Sequence, residues 1–184
     1  MLKANFITAQ EAAEKIQDGS TLCTIGMTLV SASESILKAI EKRFETVGHP
    51  ADITLVHSCG QSDRKDGIQH LAHEGLVKRI VGSHWGLQPR WMEMIANSQV
   101  EAYCLPQGQI AQLYRSMACG LPGKMSKVGL GTFIDPRVEG GKMNDRTKPL
   151  PDIVDILEYG GEEYMFYKEI PLDTVLIRRS EEHT

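Results

Sequence analysis

Four short apolar runs, each followed by a stretch with helical periodicity, restrict this chain more than anything else in it. TLCTI (21–25), ITLVHS (53–58), VKRIVGS (77–83) and EAYCL (101–105) read as strands. Thr8-Ala-Gln-Glu11 has capping-box spacing, in which Thr8 accepts from the amide three residues on and Glu11 reaches back. A short helix is expected there, with Ala12, Ala13 and Ile16 inward and an end at Asp18-Gly19. Ser31-Ala-Ser-Glu34 repeats the spacing before a helix to about Val47, in which Ile36, Leu37, Ile40 and Phe44 share one face. Gly48-His-Pro50 stops it. A helical piece is expected around Ile68 to Leu76, and another helix begins at Pro89, with Trp91, Met92 and Ile95 inward. Gln107-Gly108 opens a helix with Ile110, Leu113, Tyr114 and Met117 inward, closed by Gly120. Strand and helix in alternation predict an α/β fold: an open, mostly parallel sheet flanked by helices, with ligands at the C-terminal ends of the strands.

Beyond this the pattern changes. KMSKVGLGTFI (124–134) is expected to be a strand that breaks into a glycine-rich loop, with glycines at 129, 131, 140 and 141. VDILEY and EEYMFYK flank Gly160-Gly161, a hairpin signal. TVLIRR (174–179) is a final strand. No internal repeat and no linker divides the chain, so residues 1–184 read as one domain.

Composition excludes several classes. A net charge of −4 offers no basic face, which argues against nucleic acid as partner. The apolar runs are far too short for a membrane span, and MLKANFITAQEAAEK has no signal-peptide core. Cys23, Cys59, Cys104 and Cys119 lie far apart, which suits reduced and mostly buried thiols and a cytoplasmic location.

Individual motifs carry little chemistry by themselves. The turn after the first strand, from Thr24 to Glu34, sets a helix N-terminus beside a strand end, where amides can hold an anion; a plain connecting turn is the preferred reading. Gly129-Leu-Gly131-Thr-Phe-Ile134 begins like a dinucleotide fingerprint, but its sixth position is Ile and no helix follows. His70 and His73 share a helical face as a metal pair would, yet lack the i, i+4 spacing and a third ligand, so packing or surface histidines and no metal are expected. Glu34, Glu74, Glu101 and Glu139 could each be nominated as nucleophile or base, and nothing singles one out. Trp85, Trp91 and Tyr164-Met-Phe-Tyr167 read as core and sheet packing.

Taken together, HLAHEGLVKR (70–79), SHWG (83–86), EAYCLPQG (101–108), KVGLGTFIDPR (127–137), GGKMN (140–144) and GGEEYMFYKEIP (160–171) carry a resemblance to a known family. In this order they resemble the N-terminal, or alpha, half of the family I coenzyme A transferases of the short-chain acyl-CoA:acetate and 3-oxoacid type. The resemblance implies a fold of the kind shared with sugar-phosphate isomerases. It also implies a ping-pong exchange, in which a glutamate attacks an acyl-CoA thioester and a glutamyl-CoA thioester forms before a second carboxylate takes the CoA. That glutamate belongs to the other half of the family's architecture, so the nucleophile is expected outside this chain, which alone should be inactive.

By the same resemblance Gln107 orients the partner's glutamate, and Gly26, Met27, Gly108, Gly129, Gly131 and Thr132 are assigned to substrate and CoA binding. Ile25-Gly26-Met27 stands where the family has Gly-Gly-Phe, and Ser31 and Ser33 where it has Gly and Pro. No cofactor is implied, since the CoA thioester is itself substrate. Expected partners are acyl-CoA, a short-chain carboxylate, the C-terminal or beta half, and further copies in a homo-oligomer. TVLIRR and the hairpin are expected to lack sheet neighbours, which would favour self-association. A catalytically inactive binding or assembly domain is the alternative.

Overall fold

The structure, a computed structural model, describes residues 4–178. Its centre is a five-stranded, wholly parallel sheet of β1 (Thr21–Ile25), β2 (Ile53–His57), β3 (Val77–Gly82), β4 (Glu101–Cys104) and β8 (Thr174–Ile177), in the order β4-β3-β2-β1-β8. Alternation along each strand sends neighbouring side chains to opposite faces. Leu22, Leu55, Ile80 and Ala102 enter one core, and Cys23, Val56, Val81 and Tyr103 enter the other. Being buried on both faces is why these strands read as apolar runs.

The first core is roofed by α1 (Ala9–Glu14), α2 (Glu34–Val47) and α3 (Pro89–Ala96) through Ala13, Leu37, Ile40, Trp91, Met94 and Ile95. Met94 takes the inward position expected of Met92, which is half exposed. Thr8 forms the expected capping box with Glu11. The second box does not form: Ser33, not Ser31, is the N-cap of α2, and its side chain makes no cap bond. Ser31 lies at φ +67, so the chain is still turning there. Gly120, at φ +69, follows the end of α4 (Gln107–Ala118) as a left-handed C′ glycine should.

The opposite face is covered by α4 and an antiparallel three-stranded sheet, rather than by helices alone. That sheet has the order β5-β7-β6, from β5 (Gly123–Ser126), β6 (Val154–Tyr159) and β7 (Glu162–Lys168). The strand expected over 124–134 ends at Ser126, because Gly129 and Gly131 at φ +98 and +69 turn the chain out of the ladder. Two further expectations are corrected. The hairpin β6–β7 is paired by β5, and β8 adds in parallel to β1, fixed by Asp173, whose carboxylate accepts from Thr21 N at 2.8 Å. Neither element lacks a sheet neighbour. The end of TVLIRR, from residue 179, lies outside the described residues. No helix among the described residues is long and apolar enough to cross a membrane. Of the four thiols, Cys23 is buried, Cys59 and Cys104 are partly exposed and Cys119 is exposed, all free.

Candidate active-site cleft at the strand ends

Parallel pairing brings the C-terminal ends of β3 and β4 to one edge, with Gly82 opposite Cys104. Leu105 N donates to Gly82 O at 2.9 Å, and Pro106, with φ −60 and ψ 129, turns the chain into α4. Helical amides bond four residues back, so those of Gln107 and Gly108 in the first turn have no acceptor within α4. They face outward with the positive end of a 12-residue helix dipole. Gln107 borders a cleft of about 390 Å³ whose other walls include Ser83, His84, Cys104, Phe133 and Ile134. Burial pushes the Cys104 thiol up, with Trp85 acting in the opposite sense.

Phe133 and Ile134 reach this cleft because the glycine-rich segment is tied down on both sides. Asp135, almost wholly buried, accepts from Gly131 N at 2.9 Å, from Arg137 N at 3.0 Å and from the Arg137 guanidinium at 2.8–2.9 Å. The guanidinium, helped by those amides against the cost of burial, holds the Asp135 carboxyl well below the usual range. Arg137 also clasps Glu163 of β7. Tyr167, deeper in β7, donates to Val128 O at 2.7 Å, and a Cβ on Gly129 would come within 2.7 Å of the same hydroxyl. At the far end, Cys104 N donates to Gly141 O and Gly141 N to Phe133 O, strapping the loop across the tip of β4. Gly129, Gly131 and Thr132 therefore stand in the turn leading to the cleft, while Phe133 and Ile134, which sequence reasoning passed over, line it.

Gly26 and Met27 belong to a different place. They form a tight turn at the end of β1, closed by Met27 N to Val30 O, and a Cβ on Gly26 would meet that oxygen at 2.9 Å. The turn leads into a crevice of about 540 Å³ bounded by Ala32, Ser33 and Glu34 at the start of α2 and by Ile177 and Arg178 at the end of β8. Two concavities thus lie at the C-terminal edge of the parallel sheet, and the assigned residues divide between them.

Beneath this edge lie polar groups that the sequence did not signal. His57, at the tip of β2, is fully buried, and neither ring nitrogen meets a hydrogen-bond partner among the described residues. Its ring stands edge-on to Trp85 at 5.0 Å, and a Cβ on Gly82 would reach within 2.6 Å of Nε2. Burial drives its pKa down to about 4, the Cys59 backbone opposing and His84 adding to the fall.

His70 and His73 are not the packing histidines of one helix. The 3-10 helix Gly67–Leu71 ends between them, and both rings bond carboxylates of α2: His70 to Glu34 and Glu41, His73 to Glu41 at 2.8 Å. Glu34, Asp66 and His70 bring one donor atom each within 4.8 Å, as do Glu41, Glu45 and His73. In the first group both His70 nitrogens are taken up by carboxylates, and Lys38 lies across Glu34 and Asp66. The arrangement is that of an ion-pair network.

A parallel sheet with an unpartnered helix N-terminus and a strapped glycine loop at its C-terminal edge defines a class, and comparison with known proteins gives it a family. The chain belongs to the coenzyme A transferase family, whose profile matches residues 6–184. Among relatives, the caffeate CoA-transferase of Acetobacterium woodii is 42% identical over 176 residues, covering 95% of this chain and 33% of that protein. The alpha chain of the acetoacetyl-CoA:acetate/butyrate CoA transferase of Clostridium acetobutylicum is 29% identical over 114 residues, covering 62% of this chain and 45% of its own length. The crystal structure of the acyl-CoA transferase YdiF apoenzyme from Escherichia coli superposes with a TM-score of 0.87 at 35% identity, over 92% of this chain and 33% of that one. The chain thus spans about a third of the caffeate CoA-transferase and of YdiF, and corresponds to the alpha-type part of such enzymes.

Proposed function

We propose that this chain forms the alpha-type wall of a coenzyme A transferase that moves CoA between a short-chain acyl-CoA and a carboxylate. The observation that carries this reading is the cleft at the ends of β3 and β4, which Gln107 lines at the start of α4 with Gly108 next to it in the chain. The names of the relatives, caffeate CoA-transferase and acyl-CoA transferase among them, support the reaction class. In this reading the nucleophile is a glutamate supplied by the remaining part of the enzyme, and the isolated chain does not turn over. The carboxamide of Gln107 donates to that glutamate and orients it, while the amides of Gln107 and Gly108 hold the oxyanion that develops when the thioester carbonyl is attacked. Gly129, Gly131 and Thr132 shape the backbone that brings Phe133 and Ile134 against the acyl group. Gly26 and Met27, beside the second crevice, take part in holding CoA. The location is proposed to be the cytoplasm, and the working enzyme an oligomer containing the complementary part.

The test joins the chain to its complementary part and follows CoA exchange between an acyl-CoA and acetate. The expected result is ping-pong kinetics with the complement and none without it. Gln107→Ala removes the carboxamide that orients the glutamate and leaves the backbone amides in place; a misplaced reacting group costs about 10² in rate, so kcat should fall by about that factor with the circular dichroism unchanged. Transfer by the isolated chain, or full activity of Gln107→Ala, would overturn the assignment. CoA binding without transfer in the joined protein would favour a binding or assembly role.

A further inference from the structure

The His70 ring is held between two carboxylates, Glu41 at Nδ1 and Glu34 at Nε2, the latter at 2.8 Å. A neutral imidazole has one N–H, and an ionised carboxylate only accepts, so both bonds can exist together only on a doubly protonated ring. The surroundings are unusual for so small a volume. From α2 come Glu34, Lys38, Glu41 and the exposed Glu45; from the preceding loop, Asp66; from the turn beyond the 3-10 helix, His73; and from α3, Arg90. The His70 side chain is 13% exposed, and Glu41 19%. At that depth an unpaired carboxylate is costly, and the imidazolium offsets two of them.

Glu34 also accepts from Gly67 N at 3.0 Å, so the same carboxylate joins the first residue of α2 to the loop that follows β2. Glu34 further lies in the wall of the crevice between α2 and β8.

We propose that His70 is a proton-operated brace: as an imidazolium it locks the start of α2 to the Asp66–Gly67 loop, and on losing its proton it releases one of its two carboxylates and lets that junction loosen. The inference goes beyond transfer chemistry and stands independently of it. Burial by itself would lower the His70 pKa, but the bonds to Glu41 and Glu34 outweigh it and the group rises above its ordinary 6.5. Glu41 moves the other way for the matching reason, burial raising it and His73 and His70 together carrying it lower. A raised histidine stabilises the fold fully below about 6.5 and loses that contribution as pH climbs through its folded value.

The test is a pH titration of the chain by long-range ¹H–¹⁵N correlation of the histidine rings, with backbone amides followed in the same samples. The expected result is a His70 ring protonated at both nitrogens below about pH 6.5, with a midpoint above 6.5. The amides of Gly67, Ser35 and Ile36 should shift with that same midpoint. Glu41→Gln, which keeps the shape but removes one charge, should lower it. A His70 midpoint at or below 6.5, or Gly67 and α2 amides indifferent to it, would overturn the proposal. Should Glu41→Gln fail to fold, the wild-type titration decides alone.

Discussion

Glycines 129 and 131 show how differently one residue type can be constrained within three positions. Both have positive φ, +98 and +69, but a Cβ on Gly129 would press on the Tyr167 hydroxyl whereas one on Gly131 would meet nothing within 4 Å. Gly131→Ala should therefore cost only the left-handed backbone, about 1–2 kcal/mol. Gly129→Ala adds displacement of the part-buried Tyr167–Val128 bond, about 1–3 kcal/mol more. Urea midpoints of the two variants should rank in that order, and equal midpoints would show that Tyr167 does not hold the loop. Tyr167 itself has its pKa pushed up to about 12 by burial, so the bond persists across ordinary pH. The glycines were visible in the sequence, but the feature that sets their different costs was not. It depends on a tyrosine 36 to 38 residues further along, placed by the hairpin.

Among the elements, the segment after the glycine loop is held by a small buried knot. Asn144 Nδ2 donates to Ile95 O at 3.0 Å and to Val100 O at 2.9 Å, and its Oδ1 accepts from the amide and hydroxyl of Thr147. The Thr147 hydroxyl accepts in turn from Ala102 N at 2.7 Å. One loop thereby closes the end of α3 and the start of β4. Asn144→Ala removes the donor to Val100 O and the acceptor of the Thr147 amide and hydroxyl, and should destabilise by about 2–4 kcal/mol; Thr147→Val, which strands the Ala102 amide, should cost about 1–3 kcal/mol, both read by thermal unfolding. The strands, the helices and their alternation were legible because periodicity is a local property. What escaped was set by tertiary company. The partner of β8 is 152 residues back along the chain, at Thr21. The capping role of Ser31 was overridden by a left-handed turn. Gln107 was assigned only through the resemblance of its Pro-Gln-Gly turn to a family, while Phe133, Ile134 and His57 come to the strand ends only through the tertiary fold.

For the whole molecule, two histidines with opposite shifts frame the pH range of stability. His57 is kept neutral by burial, with a folded pKa of about 4 against 6.5 unfolded. Below 6.5 the unfolded chain takes up a proton that the native ring refuses, so stability falls toward pH 4 by about 3 kcal/mol from this group. His70 acts at the other limit, its contribution disappearing above 6.5 as its own proton leaves. Denaturant unfolding followed against pH should show a maximum near 6.5, with an acid limb below it from His57 and an alkaline limb above it that levels off once His70 has titrated. His57→Asn should flatten the acid limb and leave the alkaline limb in place. An unchanged acid limb would mean that His57 finds a partner in solution.

The position of β8 has a further consequence, for how the chain is made. β1 lies inside the finished sheet, yet its neighbour on one side is supplied by a strand about 150 residues further along the chain. At about 5–20 residues per second, the 152 residues between Thr21 and Asp173 take roughly ten to thirty seconds to emerge. Throughout that interval β1 can pair with β2, and β2 with β3, but β1 must leave its other edge, with Cys23 and Thr24, unpaired. Until β8 emerges this sheet is open on one side of β1, and any slowing of translation within residues 105–173 lengthens the wait.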